Sequence, residues 1–478
     1  MKEASLVYEN PLTDRYASRE MAECFSPAQR YQTWRRLWVA LAEAQSDLGL
    51  DVRAEQIAQM RAHIESIDVD RVAEVEKQLR HDVMAHITVF GEQCPLAKPI
   101  IHLGATSCFV TDNADLILMR RGLAILEEKL AALLAAFREF SLQHRALPAL
   151  AYTHYQPAQL TTVGKRSALW AQDFLLDYHE IVDVAKKLRF RGVKGATGTQ
   201  ASFLQLFGGD SSQVDALDER VAEKMGFERP FRITGQTYTR KLDDFVVRVL
   251  AGVAQSAHKA TNDARLLQGS GELLEPFGSK QVGSSAMPYK RNPMRLERVS
   301  SLAKFVLCAA QNPAWIHATQ WMERTLDDSA NRRISIPEVF LATDALLVLM
   351  NNVVRGFEVQ PGVIRKRIDE ELPFIASESL LMLAVQHGGD RQELHECIRQ
   401  HAMAVVEARR ERGAPNDLIE RLAVDPHFAH VQSMIEELME PARYVGRSAE
   451  QVELFVQEEL DPILTTRKAS SRDWEISV

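Results

Sequence analysis

The sequence has few cysteines and no excess of positive charge, and these two features exclude several classes of protein. Its five cysteines, at positions 24, 94, 108, 308 and 397, are odd in number and show no CxxC spacing. This pattern predicts neither a disulfide framework nor a zinc site, and we interpret the cysteines as reduced thiols. The formal net charge is −8, whereas nucleic-acid-binding domains are strongly basic. We therefore expect no nucleic-acid partner, and any anion site must be local.

Long apolar runs are also lacking. No stretch approaches the roughly 18 apolar residues of a membrane-spanning helix, and residues 1–16 lack the apolar run of a signal peptide. The chain of 478 residues is 46% hydrophobic and 26% charged, which suffices for about two to four domains, or fewer if one is elongated. We expect a cytoplasmic globular protein without a membrane partner.

Proline is missing from residues 112–147, which contain a single glycine. Apolar residues follow 3,4 spacing through this stretch, namely Leu116, Met119, Leu123, Leu126, Leu130, Leu133, Phe137 and Phe140. The spacing predicts a helix of about 50 Å with a heptad seam, capped by Thr111 or Asp112 and stopped by Pro148. A seam of this length requires partner helices.

Other stretches predict further helices, at about 158–190, 238–270, 294–312 and 337–356, and strand-like alternation is scarce. The predicted fold class is all-α, with three helical domains of which the central one is an elongated bundle of long helices. We place the domains at 1–108, 109–360 and 361–478, because Gln360-Pro361-Gly362 marks a break.

Two histidine-containing segments are candidates for a site. His154 lies in the predicted linker between the seam helix and the next helix, where it either faces a cleft or serves as a hydrogen-bonded structural residue. His81 and His86 are five residues apart and do not share a helix face, so the spacing does not predict metal ligands. Asp82 either joins His81 in a polar cluster or marks a solvated helix end.

Two further runs allow more than one interpretation. Gly192, Gly195 and Gly198 have the spacing GxxGxxG, which matches neither nucleotide-binding pattern and favours a turn between helices. The run ERTLDDSANRR, at 323–333, concentrates arginines beside hydroxyl and amide side chains. It is either a solvated charged face or a site for a phosphate or carboxylate, because a guanidinium binds oxyanions through two parallel hydrogen bonds.

The loop at 276–293 differs from the helices on either side of it. It holds three basic residues, three serines and three prolines and no acidic residue. Flexibility, positive charge and hydroxyl groups together suit it to close over an anion.

Part of this loop, GSSAMPYKRNP at 283–293, resembles the signature loop of the fumarase/aspartase superfamily, G-S-S-x-M-P-x-K-x-N, at every fixed position. Further blocks resemble the adenylosuccinate lyase family of that superfamily, in its animal-type branch. They are RHDVMAH at 80–86, HLGATSCFVTDN at 102–113, THYQPAQLTTVGKR at 153–166, KGATGTQASF at 194–203, TGQTYTRK at 234–241 and ERTLDDSANRR.

The resemblance implies a cofactor-free β-elimination that releases fumarate. The substrates would be adenylosuccinate, which gives AMP, and the succinylated aminoimidazole carboxamide ribotide of purine biosynthesis, which gives AICAR. In this family the loop serine, here Ser284, is taken as the base and the linker histidine, here His154, as the acid. Lys290 would hold a substrate carboxylate and, with Lys280, Arg291 and backbone amides, stabilise a serine alkoxide.

The resemblance also assigns supporting residues. His81 would stabilise the charge of the substrate or orient His154, and Glu297 would form an ion pair or hydrogen bond with His154. The phosphate would be bound by Arg15, Tyr16, Arg324, Ser329 and Arg333. The succinyl part would be bound by Thr106, Ser107 and Gln236, with Arg80, Asp82 and Arg298 nearby.

The family further implies a homotetramer in which each active site is built from three subunits. Loops along helices of about 50 Å lie too far apart in one chain to meet, whereas antiparallel neighbours bring them together. Two alternatives stay open, namely another fumarate-releasing lyase, such as argininosuccinate lyase or aspartase, and a catalytically silent structural homologue. Intact Ser284, Lys290 and His154 weigh against the second.

Overall fold

The computed structural model describes residues 8–278, 281–287, 289–466 and Trp474. Helices dominate, at 69% of the chain, which confirms the all-α class. The N-terminal helices are α1 Arg19–Cys24, α2 Pro27–Asp47, α3 Ala54–Ala62, α4 Val69–Leu79 and α5 Asp82–Gln93. Polar side chains begin several of them: Ser18 caps α1, Ser26 caps α2 ahead of Pro27, and Asp68 caps α4.

The seam helix is present as α6, Ser107–Gln143, and all eight apolar residues of the predicted seam are buried. Its predicted ends were wrong. Thr106, in extended conformation, takes the N-cap position, so Thr111 and Asp112 lie inside the helix. The chain leaves the helix at His144, before Pro148, which begins a strand instead of stopping a helix.

The central elements after α6 include a hairpin that the sequence did not predict. Residues 158–162, expected to be helical, belong to a strand, and α7 begins after them. The expected helix at 337–356 begins ten residues earlier and contains Pro337 in its interior. The elements are β1 Pro148–Thr153, β2 Gln156–Thr162, α7 Val163–Lys187, α8 Ala201–Leu206, α9 Ser211–Lys224, α10 Lys241–Gly269, β3 Leu273–Leu274, α11 Met294–Ala309, α12 Asn312–Ala318, α13 Asp327–Arg355 and β4 Glu358–Val359.

The long helices pack as a bundle. α6 packs against α7, α13 and α2, while α10 packs against α7, α11 and α13. β1 pairs antiparallel with β2, and β3 pairs antiparallel with β4. One hydrophobic core runs through the N-terminal helices and the bundle, so these two parts are packed as a unit.

The C-terminal helices are α14 Pro361–Gln386, α15 Arg391–Arg412, α16 Leu418–Val424, α17 Ser448–Phe455 and α18 Asp461–Thr466. A second hydrophobic cluster, with members from Ala376 to Leu438, joins α14, α15 and α16. It is separate from the main core.

One described helix, α13, is long and apolar enough to cross a membrane by length and composition, contrary to the expectation from the sequence. Of its most apolar 18-residue window, 83% is buried inside the protein. The apolar character of α13 is therefore explained by its place at the centre of the bundle.

Candidate active site

A cavity of about 390 Å³ opens where the N-termini of α5, α6 and α13 come together. The first turns of the three helices contribute Asp82, Ser107, Asp328 and Ser329 to its wall. A helix N-terminus carries unpaired backbone N–H groups and the positive end of the helix dipole, so three of them favour an anionic ligand. The sequence did not reveal this convergence.

Two arginines in the cavity wall are buried and already neutralised. Arg240 Nη1 lies 3.0 Å from Asp112 Oδ2, and Arg240 Nε lies 2.7 Å from Asp328 Oδ2. Arg332 Nε lies 2.7 Å from Asp243 Oδ2. Since a buried charge must be paired, these ion pairs fix α6, α10 and α13 relative to one another. They form a rigid floor under the cavity.

Two other arginines stand nearer to solvent at the rim. Arg333 forms an ion pair with Asp82, which joins the start of α13 to the start of α5. Burial raises the pKa of Asp82, but hydrogen bonds from Arg333 and from the Val83 amide outweigh it, and the pKa lies below its ordinary value. Arg324 Nη1 is 3.9 Å from Asp328 Oδ2, a loose contact that leaves the guanidinium near the cavity.

His81 caps α5, and contacts at both of its ring nitrogens orient the imidazole ring. Its Nδ1 accepts a hydrogen bond from the Met84 backbone N–H at 3.3 Å, so the proton of the neutral ring lies on Nε2. Nε2 is 3.4 Å from Ser107 Oγ and donates to it. In this arrangement His81 acts as a hydrogen-bond donor towards the cavity.

His154 lies at the tip of the β1–β2 hairpin, exposed to solvent. His154 and Tyr155 are the two central residues of the turn, with φ of 52° and 57°. Such a two-residue turn normally takes asparagine or glycine, because other residues are strained in the left-handed region by about 1 kcal/mol or more each. Strain of this kind is typical of functional positions, which supports a role for His154 beyond structure.

The signature loop holds Ser284 in a local turn in which the serine side chain bonds to the following backbone. Its Oγ accepts hydrogen bonds from two backbone amides, that of Ala286 at 3.3 Å and that of Met287 at 3.1 Å. Donors aimed at one oxygen favour its anionic form. Lys290 lies exposed in the same loop.

The base of the loop is closed by specific contacts. Asn292 Nδ2 donates to the Gly283 carbonyl at 2.7 Å. A Cβ atom at Gly283 would lie 2.1 Å from the Lys290 carbonyl oxygen, so glycine is required there. Lys280 and Pro288 lie outside the described residues.

A third group of predicted site residues lies together near the N-terminus of α11. The Arg298 guanidinium is 5.7 Å from the centre of the Tyr16 ring, and Arg15 is exposed beside Tyr16. Glu297 was expected to pair with His154, but within one chain its carboxylate lies 3.7 Å from Arg265.

Within one chain, the predicted site residues thus form separate sets, according to whether they line the cavity. Eight line the cavity: Arg80, His81, Asp82, Ser107, Gln236, Arg324, Ser329 and Arg333. Gln236 is held there by a hydrogen bond from its Nε2 to the Ala196 carbonyl at 3.0 Å. Other described site residues are outside the cavity lining, namely Arg15, Tyr16, Thr106, His154, Ser284, Lys290, Glu297 and Arg298. The candidate site residues of the described chain therefore do not all line one cavity.

Comparison with known proteins identifies the family. Residues 19–307 match a family model described as Lyase, and residues 373–455 match one described as Adenylosuccinate lyase C-terminus. An adenylosuccinate lyase of Saccharomyces cerevisiae is 49% identical over 464 residues, which cover 96% of this chain and 95% of that protein. The chain belongs to the adenylosuccinate lyase family. An adenylosuccinate lyase of Schistosoma mansoni is 46% identical over 463 residues, 96% of both chains, in agreement with the animal-type branch.

Solved structures show the same fold at lower identity. The 3-carboxy-cis,cis-muconate lactonizing enzyme of Pseudomonas putida superposes with a TM-score of 0.81 at 24% identity, over 94% of this chain and 99% of that one. The long-helix bundle is therefore shared beyond the adenylosuccinate lyase family.

The buried part of the site was missed by the sequence reasoning. Arg240 and Asp112 fall inside blocks that resemble the adenylosuccinate lyase family, and Arg332 falls in the run ERTLDDSANRR. Their location inside these blocks was the available signal. No spacing in the sequence indicates that residues 112, 240 and 328 lie close together in the fold. Because Arg332 and Asp328 are buried, a wholly solvated face is excluded for this run.

Proposed function

We propose that the protein is a carbon–nitrogen lyase that cleaves adenylosuccinate to AMP and fumarate. The succinylated aminoimidazole carboxamide ribotide is cleaved likewise, to AICAR and fumarate. The observation that carries the proposal is the cavity at three helix N-termini, in a chain of the adenylosuccinate lyase family. Both substrates combine a phosphate with two carboxylates, and this cavity suits such a ligand.

Substrate binding uses residues from the cavity and from its neighbours. The phosphate is bound by Arg15, Tyr16, Arg324, Ser329 and Arg333. The succinyl part is bound by Thr106, Ser107 and Gln236, with Arg80, His81, Asp82 and Arg298 around it. The rigid floor below supports this assignment, because a fixed frame of paired charges presents the remaining donors without reorganisation.

The elimination is assigned to residues outside the cavity. Ser284 Oγ takes a proton from the carbon beside a substrate carboxylate, and Lys290 offsets the charge that develops on that carboxylate. The electron pair forms the double bond of fumarate as the carbon–nitrogen bond breaks, and His154 gives a proton to the leaving nitrogen. Two amides on Ser284 Oγ support its role. Glu297 pairs with His154 from another chain.

Assembly as a homotetramer brings the sets of residues together. Large apolar side chains are exposed along the long helices, Leu169 and Leu176 on α7 and Phe245 and Leu266 on α10. Exposed apolar rows on bundle helices favour packing against other copies. Each site then draws its cavity, its histidine hairpin and its signature loop from three subunits.

The domain limits 1–108, 109–360 and 361–478 form part of the proposal. The second hydrophobic cluster, from Ala376 to Leu438, supports the last of them, while Ile364, Ile368 and Leu372 at the start of α14 pack in the main core. A cytoplasmic location is also proposed, and the five free cysteines support it.

The test is an assay of fumarate release from adenylosuccinate, from the succinylated aminoimidazole carboxamide ribotide and from argininosuccinate, side by side and with a strong chelator present. We expect turnover of the two purine substrates at the same rate with and without chelator. Ser284→Ala protein prepared identically is the matched control for contaminating activity. Turnover of argininosuccinate instead, or of none of the three, would reject the proposal, and rescue of a chelated enzyme by zinc or magnesium would reject the cofactor-free mechanism.

A further inference from the structure

A compact group of metal-ligating side chains lies in the C-terminal region, on elements that contribute nothing to the cavity lining. Cys397 and His401 are one helical turn apart on α15, and Asp425 follows the end of α16. Cys397 Sγ is 3.3 Å and His401 Nε2 is 2.8 Å from the same oxygen, Asp425 Oδ2. The three potential ligand atoms all lie within 4.8 Å of one another.

These distances are close to those of a metal centre. Ligand atoms of a tetrahedral zinc ion, bonded at 2.0–2.3 Å, lie about 3.3–3.7 Å apart. The Cys397–Asp425 distance falls in this range, and the 2.8 Å between His401 Nε2 and Asp425 Oδ2 is a hydrogen-bond distance that must lengthen when an ion enters between the two atoms. A thiolate, an imidazole and a carboxylate form a donor set that suits zinc and does not suit magnesium or calcium.

The surroundings of Asp425 prepare it for this role. Its second oxygen, Oδ1, accepts hydrogen bonds from the His427 backbone amide at 2.9 Å and from His427 Nδ1 at 2.8 Å. These contacts fix the carboxylate and leave Oδ2 directed at Cys397 and His401. Orientation of a metal-binding carboxylate by hydrogen bonds to its other oxygen is the usual supporting arrangement.

The group is accessible to an ion and joins separate segments. The side chains of His401 and Asp425 are 29% and 16% exposed, so a solvated ion reaches them without unfolding. A bound metal would tie α15 to the turn after α16, beside the second hydrophobic cluster. Such a cross-link stabilises the folded state because the ligands are not assembled in the unfolded chain.

We propose that Cys397, His401 and Asp425 form a structural site for a zinc-class divalent cation, with water as the fourth ligand. No CxxC spacing accompanies these residues, so the sequence does not indicate the site. This inference does not depend on the proposed function.

The experiment titrates full-length protein, stripped of metal by chelator and dialysed, with Zn²⁺ in a calorimeter. We expect one ion per chain, with at least tenfold weaker binding in Cys397→Ser and His401→Ala. The matched controls are Cys308→Ser, which removes an exposed cysteine on α11, and His395→Ala, which removes an exposed histidine on α15. Both controls should bind zinc as the parent does.

A second measurement uses only the parent protein, so it does not depend on whether the variants fold. Co²⁺ added to the parent protein should produce a thiolate-to-metal charge-transfer absorption in the near ultraviolet. Zn²⁺ should raise its Tm and displace the cobalt signal while leaving kcat unchanged. Absence of both zinc binding and the cobalt band overturns the proposal, and so does zinc binding that the Cys397 and His401 substitutions leave unchanged.

Discussion

Arg333 offers the sharpest test of the anion cavity, because the structure indicates both what it contributes and what its removal exposes. Its guanidinium lines the cavity and pairs with Asp82. Arg333→Ala removes a positive charge from the proposed phosphate site and leaves the Asp82 carboxylate in the cavity wall without this partner. Since the phosphate is remote from the bond that breaks, ground state and transition state lose the same interaction.

The magnitude follows from the geometry. Two unit charges 4 Å apart interact by about 4 kcal/mol at an effective dielectric constant of 20. The Arg333 side chain is 53% exposed, so solvent screening reduces this to about 2 kcal/mol. The expected result is a rise in KM of roughly thirtyfold, since 1.36 kcal/mol is a factor of ten, with kcat changed much less.

Steady-state kinetics with adenylosuccinate measure this split. Arg412→Ala, at the exposed end of α15, is the matched control and should leave KM unchanged. Adding Asp82→Asn to Arg333→Ala should recover part of the lost affinity, because it removes the unpaired negative charge. An unchanged KM in Arg333→Ala would refute the reasoning and make the exposed part of the 323–333 run a solvated surface.

The other predictions concern the reactive residues and the pH dependence of stability. Ser284→Ala and His154→Ala should each lower kcat by several orders of magnitude while substrate still binds, as equilibrium dialysis would measure; a Ser284→Ala enzyme that retains most of its kcat would assign the base to another residue. Burial, and secondarily the charge of Arg35, lowers the pKa of His86 to about 4, so between pH 6.5 and 4 the unfolded chain binds a proton that the folded chain does not. Stability should therefore fall with decreasing pH by about 1.4 kcal/mol per unit in this window. His86→Phe, whose ring keeps the contact with Tyr31, should reduce the difference between the free energies of unfolding at pH 7 and pH 5, measured by urea unfolding. An unchanged difference would contradict the assignment to His86.

The sequence predicted the helices best where apolar periodicity was long and uninterrupted. The seam of α6 was predicted residue by residue, because a buried stripe over many turns has no other stable arrangement. Its ends were not predicted, since Thr106 and Thr111 are both acceptable caps and tertiary packing chooses between them. The helix predicted at about 337–356 begins earlier and contains Pro337 in its interior, because the packing of α13 outweighs the loss of one backbone hydrogen bond.

The site shows a similar division. The signature loop was recognised from its letters, and the amides on Ser284 Oγ agree with the expected stabilisation of an alkoxide. The hairpin that carries His154 was missed because apolar and polar residues do not alternate regularly in its two strands, which have six and seven residues. The meeting of three helix N-termini depends on long-range packing, which no local pattern contains.

If one catalytic site is assembled from different subunits, exchange of subunits between two inactive variants restores activity. Inactive His154→Ala and inactive Ser284→Ala proteins are mixed under conditions that exchange subunits, and native mass spectrometry verifies that hybrids form. If the two residues of a site come from different chains, random assortment of the two variants gives about one quarter of the sites both intact residues. About one quarter of the activity of the parent protein should then return. Hybrids that form but remain as inactive as the separate variants would contradict the claim, because His154 and Ser284 would then belong to one chain.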